Sequence, residues 1–240
     1  MKVGIPKERR TGETRVAATP ETVKKLKGLG LDVVVEAGAG ARSHFADQDY
    51  AASGGEIGSQ AAALGADIVL KVARPTDEEL PQMKRGAMLA AILAPYADKS
   101  AAGKYAGAGV NAFAMEFMPR ITRAQSMDVL SSQSNLAGYK AVIDGAAAYG
   151  RAFPMMMTAA GTIAPARVFI MGVGVAGLQA IATAKRLGAI VSATDVRAAT
   201  KEQVQSLGGT FVMVEDEESK QAETAGGYAK EMSDAYKKKQ

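Results

Sequence analysis

The sequence predicts an α/β protein with two Rossmann-like, doubly wound parallel-sheet domains joined by a long helix, the second domain being incomplete at its C-terminus. Strand-like apolar runs alternate with helical stretches through the first 130 residues, and this pattern indicates a parallel sheet. Residues 167–195 then read as strand, glycine turn, helix and strand with a terminal acid, the order of a dinucleotide-binding βαβ unit. Such a fold has two mononucleotide halves, and only the strands of the first half follow in this chain.

The first predicted domain covers residues 1–130 and has strand-like runs at residues 2–5, 31–36, 67–72, 88–93 and 110–116. Its first helix has a clear beginning, because Thr19 is a favourable N-cap and Pro20 suits the first helical position. A polar loop at residues 119–128 precedes the joining helix. That helix is expected over residues 131–152, since apolar side chains recur there at helical spacing.

The second predicted domain covers residues 153–240, with strand-like runs at 167–171, 190–195 and 210–214. Its glycine turn, G-V-G-V-A-G, begins at Gly172. Gly172 permits the tight turn after the strand, Gly174 lets backbone approach a pyrophosphate, and Gly177 lets the helix pack on the sheet. The helix then offers free N–H groups and a positive dipole to the phosphates.

An acid, Asp195, ends the second strand of this unit, 18 residues beyond Gly177. A carboxylate there can accept both ribose hydroxyls of an adenosine and repels a 2′-phosphate, so we expect NAD(H) to bind in preference to NADP(H). Arg197 leaves an alternative open, since an arginine after the second strand can also mark NADP binding. Asp195 in front of it argues against that alternative.

Composition excludes several classes of function. The chain has no cysteine, which excludes disulfides and thiolate metal sites, and no metal site is expected. Its net charge of +4 is small and its basic runs are typical of solvated faces, so nucleic acid is not an expected partner. Residues 1–20 lack the apolar core of a signal peptide, and the apolar runs are shorter than the ~20 residues of a membrane span. We therefore expect a cytoplasmic protein with no membrane span of its own.

Several long segments resemble one known family. They include P-R-I-T-R-A-Q-S-M-D and the glycine turn with its helix, and they lie at residues 5–20, 119–128, 130–145, 154–162, 172–189 and 194–204. Together they resemble the NAD(H)-binding domain of proton-translocating NAD(P) transhydrogenases, in the alpha subunit. The opening segment is shared with the related alanine dehydrogenases.

The resemblance leaves alanine dehydrogenase as a second enzyme hypothesis. Arg15 and Lys71 match residues that hold substrate in that family, but its histidine acid/base is missing from residues 89–96, which read L-A-A-I-L-A-P-Y. The single histidine, His44, is expected to be a surface side chain. Amino-acid oxidation needs a proton acceptor near pH 7, whereas hydride exchange between two nicotinamides needs none, so transhydrogenase is favoured. A nucleotide-binding fragment without turnover is the third hypothesis.

The resemblance also implies which residues contact the cofactor. A polar loop positions the nicotinamide in the family without acid or base chemistry, and it matches the candidate catalytic residues Arg120, Gln125 and Asp128. The further cofactor-binding residues that the family implies are Ile121, Thr122, Ser131, Val175, Val196, Arg197, Gly227, Tyr228 and Met232. The last three belong to a segment that closes over NAD(H) in the family.

The family further implies partners. NAD(H) is expected to bind directly and NADP(H) on a partner domain, with the hydride exchange between them coupled to proton movement through a membrane proton-channel subunit. The chain is expected to form a homodimer on the inner, cytoplasmic face of the membrane, held there through these partners.

Two expectations concern packing. The run Met155–Met157 is interpreted as part of a hydrophobic core. Family members are longer, so the second mononucleotide half and a segment returning to the first domain are expected beyond this chain. We therefore expect residues 1–240 alone to bind NADH weakly, or to associate through exposed apolar surface.

Overall fold

The computed structural model describes residues 1–119, 121–214, 218–219, 222 and 229–239. The chain divides into two compact units, Met1–Met127 and Asp128–Gln240. Among the described residues, no helix combines the length and the hydropathy that a bilayer crossing requires.

The first unit is built on a parallel sheet. Its strands are β1 (Lys2–Ile5), β2 (Asp32–Glu36), β3 (Glu56–Gly58), β4 (Ile68–Ala73), β5 (Met88–Ile92) and β6 (Asn111–Ala114). They pair in the order β3-β2-β1-β4-β5-β6, and every pair is parallel. The order reverses beside β1, as it does in a doubly wound dinucleotide fold.

Short helices connect these strands. The α-helices are α1 (Pro20–Gly28), α2 (Asp47–Ala52), α3 (Gln60–Leu64) and α4 (Ala101–Ala108), and the 3-10 turns are Ala41–Ser43, Leu80–Gln82, Met115–Phe117 and Thr122–Met127. The predicted start of α1 is confirmed, because the Thr19 side chain accepts a hydrogen bond from Thr22 N–H at 3.2 Å and Pro20 follows it. Three consecutive residues of β2, Val33 to Val35, are buried, which requires both faces of the sheet to be covered.

The second unit has a smaller parallel sheet. Its elements are α5 (Val129–Ala148), β7 (Met156–Thr158), β8 (Gly161–Ile163), β9 (Arg167–Met171), α6 (Val175–Arg186), β10 (Ile190–Thr194), α7 (Lys201–Ser206), β11 (Thr210–Phe211) and α8 (Asp234–Lys239), with a 3-10 turn at Ala198–Thr200. The sheet order is β11-β10-β9, all parallel. This is the 3-2-1 order of one mononucleotide half, as the sequence predicts.

The long helix α5 packs closely on α6 within the second unit. A Cβ placed on Gly138 would lie 2.0 Å from the Ala176 carbonyl oxygen, so only glycine permits this approach. Val142 of α5 shares a buried cluster with Ile181 of α6 and with Val191 of β10. The helix therefore contributes directly to the core that supports the glycine turn.

The interpretation of Met155–Met157 as core is wrong. These side chains are 56%, 47% and 70% exposed, and β7 pairs antiparallel with β8 in a two-stranded hairpin. All six residues of the two strands are exposed, so no packed layer covers either face of this hairpin among the described residues. An apolar run thus marks a strand here without marking a core.

Candidate functional site

The glycine turn joins β9 to α6 through three residues, and each glycine meets a different physical demand. Gly172 has φ +91°, a left-handed conformation that glycine adopts without strain. A Cβ on Gly177 would lie 1.9 Å from the Gly172 carbonyl oxygen, whereas a Cβ on Gly174 would meet no atom of the described residues within 4 Å. Packing among these residues therefore requires Gly177 but does not require Gly174, and they leave the space at Gly174 open to an approaching ligand.

The N-terminus of α6 has no side-chain cap. Its N-cap is Gly174, which has no side chain to accept from the first turn. The first N–H groups of a helix have no partner inside the helix, and with the helix dipole they form a site suited to an anion such as a phosphate. Val173 is buried within the turn and belongs to the hydrophobic cluster that includes Ile181 of α6.

Asp195 follows β10 and is buried against the glycine turn. Its Oδ2 accepts from Val173 N–H at 2.7 Å and its Oδ1 accepts from Arg197 N–H at 2.8 Å. Burial alone would raise the pKa of Asp195, but the hydrogen bonds from the Arg197 side chain and the two backbone N–H groups outweigh it and hold the pKa below its usual value. Asp195 is therefore ionised at neutral pH.

The Arg197 guanidinium forms a bidentate salt bridge with the same carboxylate. Nε donates to Asp195 Oδ1 at 2.9 Å and Nη2 donates to Asp195 Oδ2 at 2.8 Å. Nη2 also lies 3.3 Å from the Val173 carbonyl oxygen. The structure thus brings the predicted residues Gly172, Asp195 and Arg197 together at the carboxyl ends of β9 and β10. The pairing of Asp195 with Arg197 was missed from sequence, where the D-V-R spacing at a strand end was the available signal.

Val196 and Met232 are part of one small hydrophobic cluster. Met232 is buried with Tyr236 and Ala222, and Val196 packs against this small cluster. The Tyr236 hydroxyl donates to the Val214 carbonyl at 2.9 Å, which ties α8 to the end of the sheet. The predicted residues Gly227 and Tyr228 lie outside the described residues.

The predicted nicotinamide loop is divided between the two units. Arg120 lies outside the described residues. Ile121, Thr122 and Gln125 are exposed in the first unit, where Ala124 is the buried residue of the Thr122–Met127 turn.

Asp128 and Ser131 lie in the second unit at the start of α5. Asp128 is the N-cap of that helix, and its Oδ1 accepts from Leu130 N–H at 3.0 Å and from Ser131 N–H at 2.9 Å. The Ser131 hydroxyl donates to Asp128 Oδ2 at 2.6 Å. The carboxylate is therefore oriented by the helix terminus, a structural role that the sequence did not reveal.

Arg15 and Lys71, which would hold substrate under the alanine dehydrogenase hypothesis, both form ion pairs with carboxylates of the first unit. Arg15 forms a two-pronged pair with Glu13 at 2.8 and 2.7 Å. Lys71 Nζ lies 3.0 Å from Glu79 Oε1 and 3.4 Å from Glu8 Oε2, with all three side chains buried. His44 is exposed, as expected from the sequence.

The glycine turn, the uncapped helix and the acid at the second strand place the second unit in the class of Rossmann-type nucleotide-binding domains. Two family models match the chain. "Alanine dehydrogenase/PNT, N-terminal domain" matches residues 4–137 and "Alanine dehydrogenase/PNT, C-terminal domain" matches residues 141–232. The chain belongs to the alanine dehydrogenase/PNT family.

Similar curated proteins carry transhydrogenase names. The chain is 61% identical to a Rhodospirillum rubrum protein named as the first portion of NAD(P) transhydrogenase subunit alpha, over the whole chain and 64% of that protein. It is 44% identical to NAD(P) transhydrogenase subunit alpha of Haemophilus influenzae, over 46% of that protein. An alanine dehydrogenase of Halomonas elongata is 34% identical over 81% of this chain and 53% of its own length. The chain thus spans about two thirds or less of the length of these relatives.

Solved structures agree with the fold. The crystal structure of transhydrogenase from Sinorhizobium meliloti matches with a TM-score of 0.87 and 61% identity, over 90% of this chain and 62% of that one. An L-alanine dehydrogenase structure matches with a TM-score of 0.78 and 28% identity, over 90% of this chain and 61% of that one.

Proposed function

We propose that this chain is the NAD(H)-binding component of a proton-translocating transhydrogenase, which exchanges hydride between its own NAD(H) and NADP(H) on a partner domain. The observation that carries the proposal is the glycine turn with an uncapped helix on one side and a buried, ionised Asp195 on the other. The names of the relatives and the length of the match support a transhydrogenase over other dinucleotide enzymes. An oxidoreductase role follows from the same relatives.

The residues of the second unit fit the dinucleotide. The open space at Gly174 and the N–H groups of α6 would receive the pyrophosphate. Asp195 would receive the adenosine ribose, and Val196 and Arg197 would border the adenine. Val175 would lie over the turn.

The nicotinamide end is assigned by family resemblance to Arg120, Gln125 and Asp128, with Ser131 beside them. When bound, NAD(H) supplies the hydride-carrying carbon of its nicotinamide ring, and this exchange needs no acid or base from the protein. The chain's own contribution is therefore to bind and orient the cofactor. In the same proposal, residues 227, 228 and 232 contribute to closing the site.

An alanine dehydrogenase activity has less support. The strand-end segment that would carry the acid/base has no histidine, and Arg15 and Lys71 are paired with carboxylates of the first unit. A bound oxo acid would have to displace those carboxylates, which are its electrostatic competitors.

The partner assignments belong to the same proposal. An NADP(H)-binding domain and a membrane proton-channel subunit would complete the enzyme, and the chain would act as a homodimer on the cytoplasmic face of the membrane. Hydride exchange would then be coupled to proton movement by the complex.

The function is tested by binding and by transfer. We expect NADH to bind more tightly than NADPH in a fluorescence titration, and hydride to pass from NADH to an NADP analogue once the partner domain is added. Comparable affinities for the two cofactors would contradict the NAD(H) assignment. Binding without transfer would leave a nucleotide-binding module, and NADH oxidation with pyruvate and ammonium would indicate alanine dehydrogenase.

The orienting role is tested at Gln125. Gln125→Asn should slow transfer by up to ~100-fold with little loss of NADH affinity, because a small misplacement of the reacting rings is costly. Gln82→Asn is the matched control, since Gln82 is also exposed on a 3-10 turn of the first unit. An affinity loss at Gln125 that accounts for the whole rate loss would exclude the orienting role.

A further inference from the structure

The carboxylate of Asp195 is already fully engaged by the chain itself. An ionised carboxylate has about four acceptor positions, and Asp195 accepts from Val173 N–H, Arg197 N–H and two guanidinium N–H groups. The hydroxyls of a ribose could therefore donate hydrogen bonds to Asp195 only by sharing the carboxylate with Arg197 or by displacing the Arg197 guanidinium. The acid at the strand end does not act as an isolated negative charge.

The guanidinium of Arg197 lies beside the carboxylate that would receive the adenosine ribose in the proposed site, and a 2′-phosphate would arrive at that same ribose. The guanidinium lies between the end of β10 and the glycine turn, because Nη2 contacts both Asp195 Oδ2 and the Val173 carbonyl. Arginine binds phosphate oxygens in the same two-pronged geometry that it uses for carboxylates. Asp195 and a 2′-phosphate are thus alternative partners for one guanidinium.

We propose that Arg197 is a latent 2′-phosphate anchor, and that Asp195 selects NAD(H) by keeping this guanidinium occupied as well as by repelling the phosphate. Specificity then resides in the Asp195–Arg197 pair. Arg197 is occupied by Asp195 and cannot bind the 2′-phosphate of NADP(H), and the Asp195 carboxylate repels that phosphate. The proposal rests on the dinucleotide site proposed above and adds a role to a residue beside the adenine.

This proposal differs measurably from simple repulsion. If repulsion alone excludes NADPH, removal of the Asp195 charge relieves it whatever residue stands at position 197. If Asp195 also restrains Arg197, the same change releases a cation toward the phosphate, and the gain in NADPH affinity depends on that cation.

The experiment compares five forms of the full chain: unmodified, Asp195→Asn, Asp195→Asn with Arg197→Gln, Asp195→Asn with Arg197→Lys, and Arg197→Gln alone. NADH and NADPH are titrated into each form by cofactor fluorescence. Asp195→Asn should raise NADPH affinity by about tenfold or more, the range of a charge-assisted hydrogen bond. The Asp195→Asn variant that also carries Arg197→Gln should lose most of that gain in NADPH affinity, and Arg197→Gln alone should show no gain. Arg197→Lys in the Asp195→Asn background should restore part of the gain, because a lysine still supplies a point charge.

The outcomes separate the two proposals. If the unmodified chain is folded and does not aggregate, yet binds neither cofactor even weakly at the highest concentration tested, the proposed dinucleotide site is wrong. If it binds NADH but Asp195→Asn gains no NADPH affinity, or gains as much without Arg197, the anchor role is wrong while the site stands. Thermal melts establish that each variant is folded, and Asp195→Ser carries the same expectation if the asparagine variant does not fold.

Discussion

Both units have an acid at the end of the second strand of a βαβ element, and the two acids differ in which segment supplies the arginine that pairs with them. In the first unit Glu36 ends β2, is buried, and accepts from the Arg9 guanidinium at 2.5 and 3.1 Å and from Lys7 N–H at 2.8 Å. In the second unit Asp195 follows β10 and is held by Arg197 and by Val173 N–H. The acids are alike in burial and in having an arginine partner.

The two units differ in the segment that connects the first strand of the βαβ element to its helix. Residues 6–19 connect β1 to α1, and this loop supplies Arg9, whose side chain closes over Glu36. The N-terminus of α1 is capped by the Thr19 side chain. In the second unit residues 172–174 connect β9 to α6, and the helix begins uncapped beside open space. We therefore propose that a strand-end acid alone does not indicate a nucleotide site, and that the short glycine connection is the feature that distinguishes one.

The largest effect is expected from glycine substitutions in the turn. Gly177→Ala should destabilise the second unit by about 3 kcal/mol, because its Cβ would overlap backbone that cannot move aside cheaply. Gly174→Ala places its Cβ in open space, so stability should change by no more than about 0.5 kcal/mol while NADH affinity falls. Denaturant titration and cofactor fluorescence measure the two effects. An unchanged NADH affinity in Gly174→Ala would mean that no pyrophosphate approaches there.

The two acids provide the next test. Glu36→Gln should lower stability by about 1–2 kcal/mol, since a charge-assisted pair with Arg9 becomes a neutral one, and NADH affinity should not change. Asp195→Asn should lower stability similarly and also alter cofactor preference. A cofactor effect from Glu36→Gln, measured in the same titrations, would indicate that the first unit contributes a nucleotide contact and would remove the contrast between the units.

Much of this contrast is predictable from sequence, because its elements are local. The Thr19-Pro20 cap, the turn at Gly172 and the close packing at Gly177 depend on backbone geometry within a few residues, and the structure places them as expected. The approach of a pyrophosphate to Gly174 stays a prediction. Strand β3 was not predicted, since three residues are too few to display a periodicity. The exposed Met156 strand was misinterpreted because apolar character alone does not reveal whether another layer covers it.

The pairing of side chains was the least predictable feature of the site. Asp195 and Arg197 are two residues apart, and the sequence could assign each a ligand but could not reveal that they bind one another. The sequence likewise assigns Asp128 only to the cofactor, whereas the structure also shows it as the N-cap of α5. Such pairings depend on rotamers and on where the neighbouring backbone N–H groups point, which residue spacing does not determine.

A smaller effect is expected at the start of α5. Asp128→Ala should cost about 1 kcal/mol through loss of the N-cap, while Asp128→Asn should preserve it. Any slowing of hydride transfer in Asp128→Asn would then report on orientation of the cofactor rather than on stability. Thr19→Ala is the matched control, because it removes the cap of α1 at a comparable cost and should leave transfer unchanged. Equal transfer rates in Asp128→Asn and the unmodified protein would remove Asp128 from the site.

The smallest effect is the pH dependence of stability that buried Glu8 contributes in the first unit. Glu8 lies with Lys71 and Glu79, and its carboxylate accepts from Val72 N–H at 2.6 Å. Burial raises the pKa of Glu8 above its usual value, outweighing the Lys71 ammonium and the backbone N–H groups that lower it. The folded chain therefore retains this proton at pH values where the unfolded chain has already lost it.

Because the folded chain binds this proton more tightly, its contribution to stability is fullest below the usual glutamate pKa and declines as pH rises toward the raised folded value. Glu8→Gln is neutral throughout and should flatten the pH dependence in that window, as measured by the free energy of unfolding in denaturant titrations from acidic to neutral pH. Glu56→Gln is the control, since the Glu56 side chain is 64% exposed and its pairing with Lys2 is screened by solvent. A slope that persists in Glu8→Gln would assign the pH dependence to other groups. A flattened slope would establish that burial of Glu8, in the loop after β1, disfavours its ionised form. At the end of β10 in the second unit, by contrast, the hydrogen bonds to Asp195 favour the ionised form.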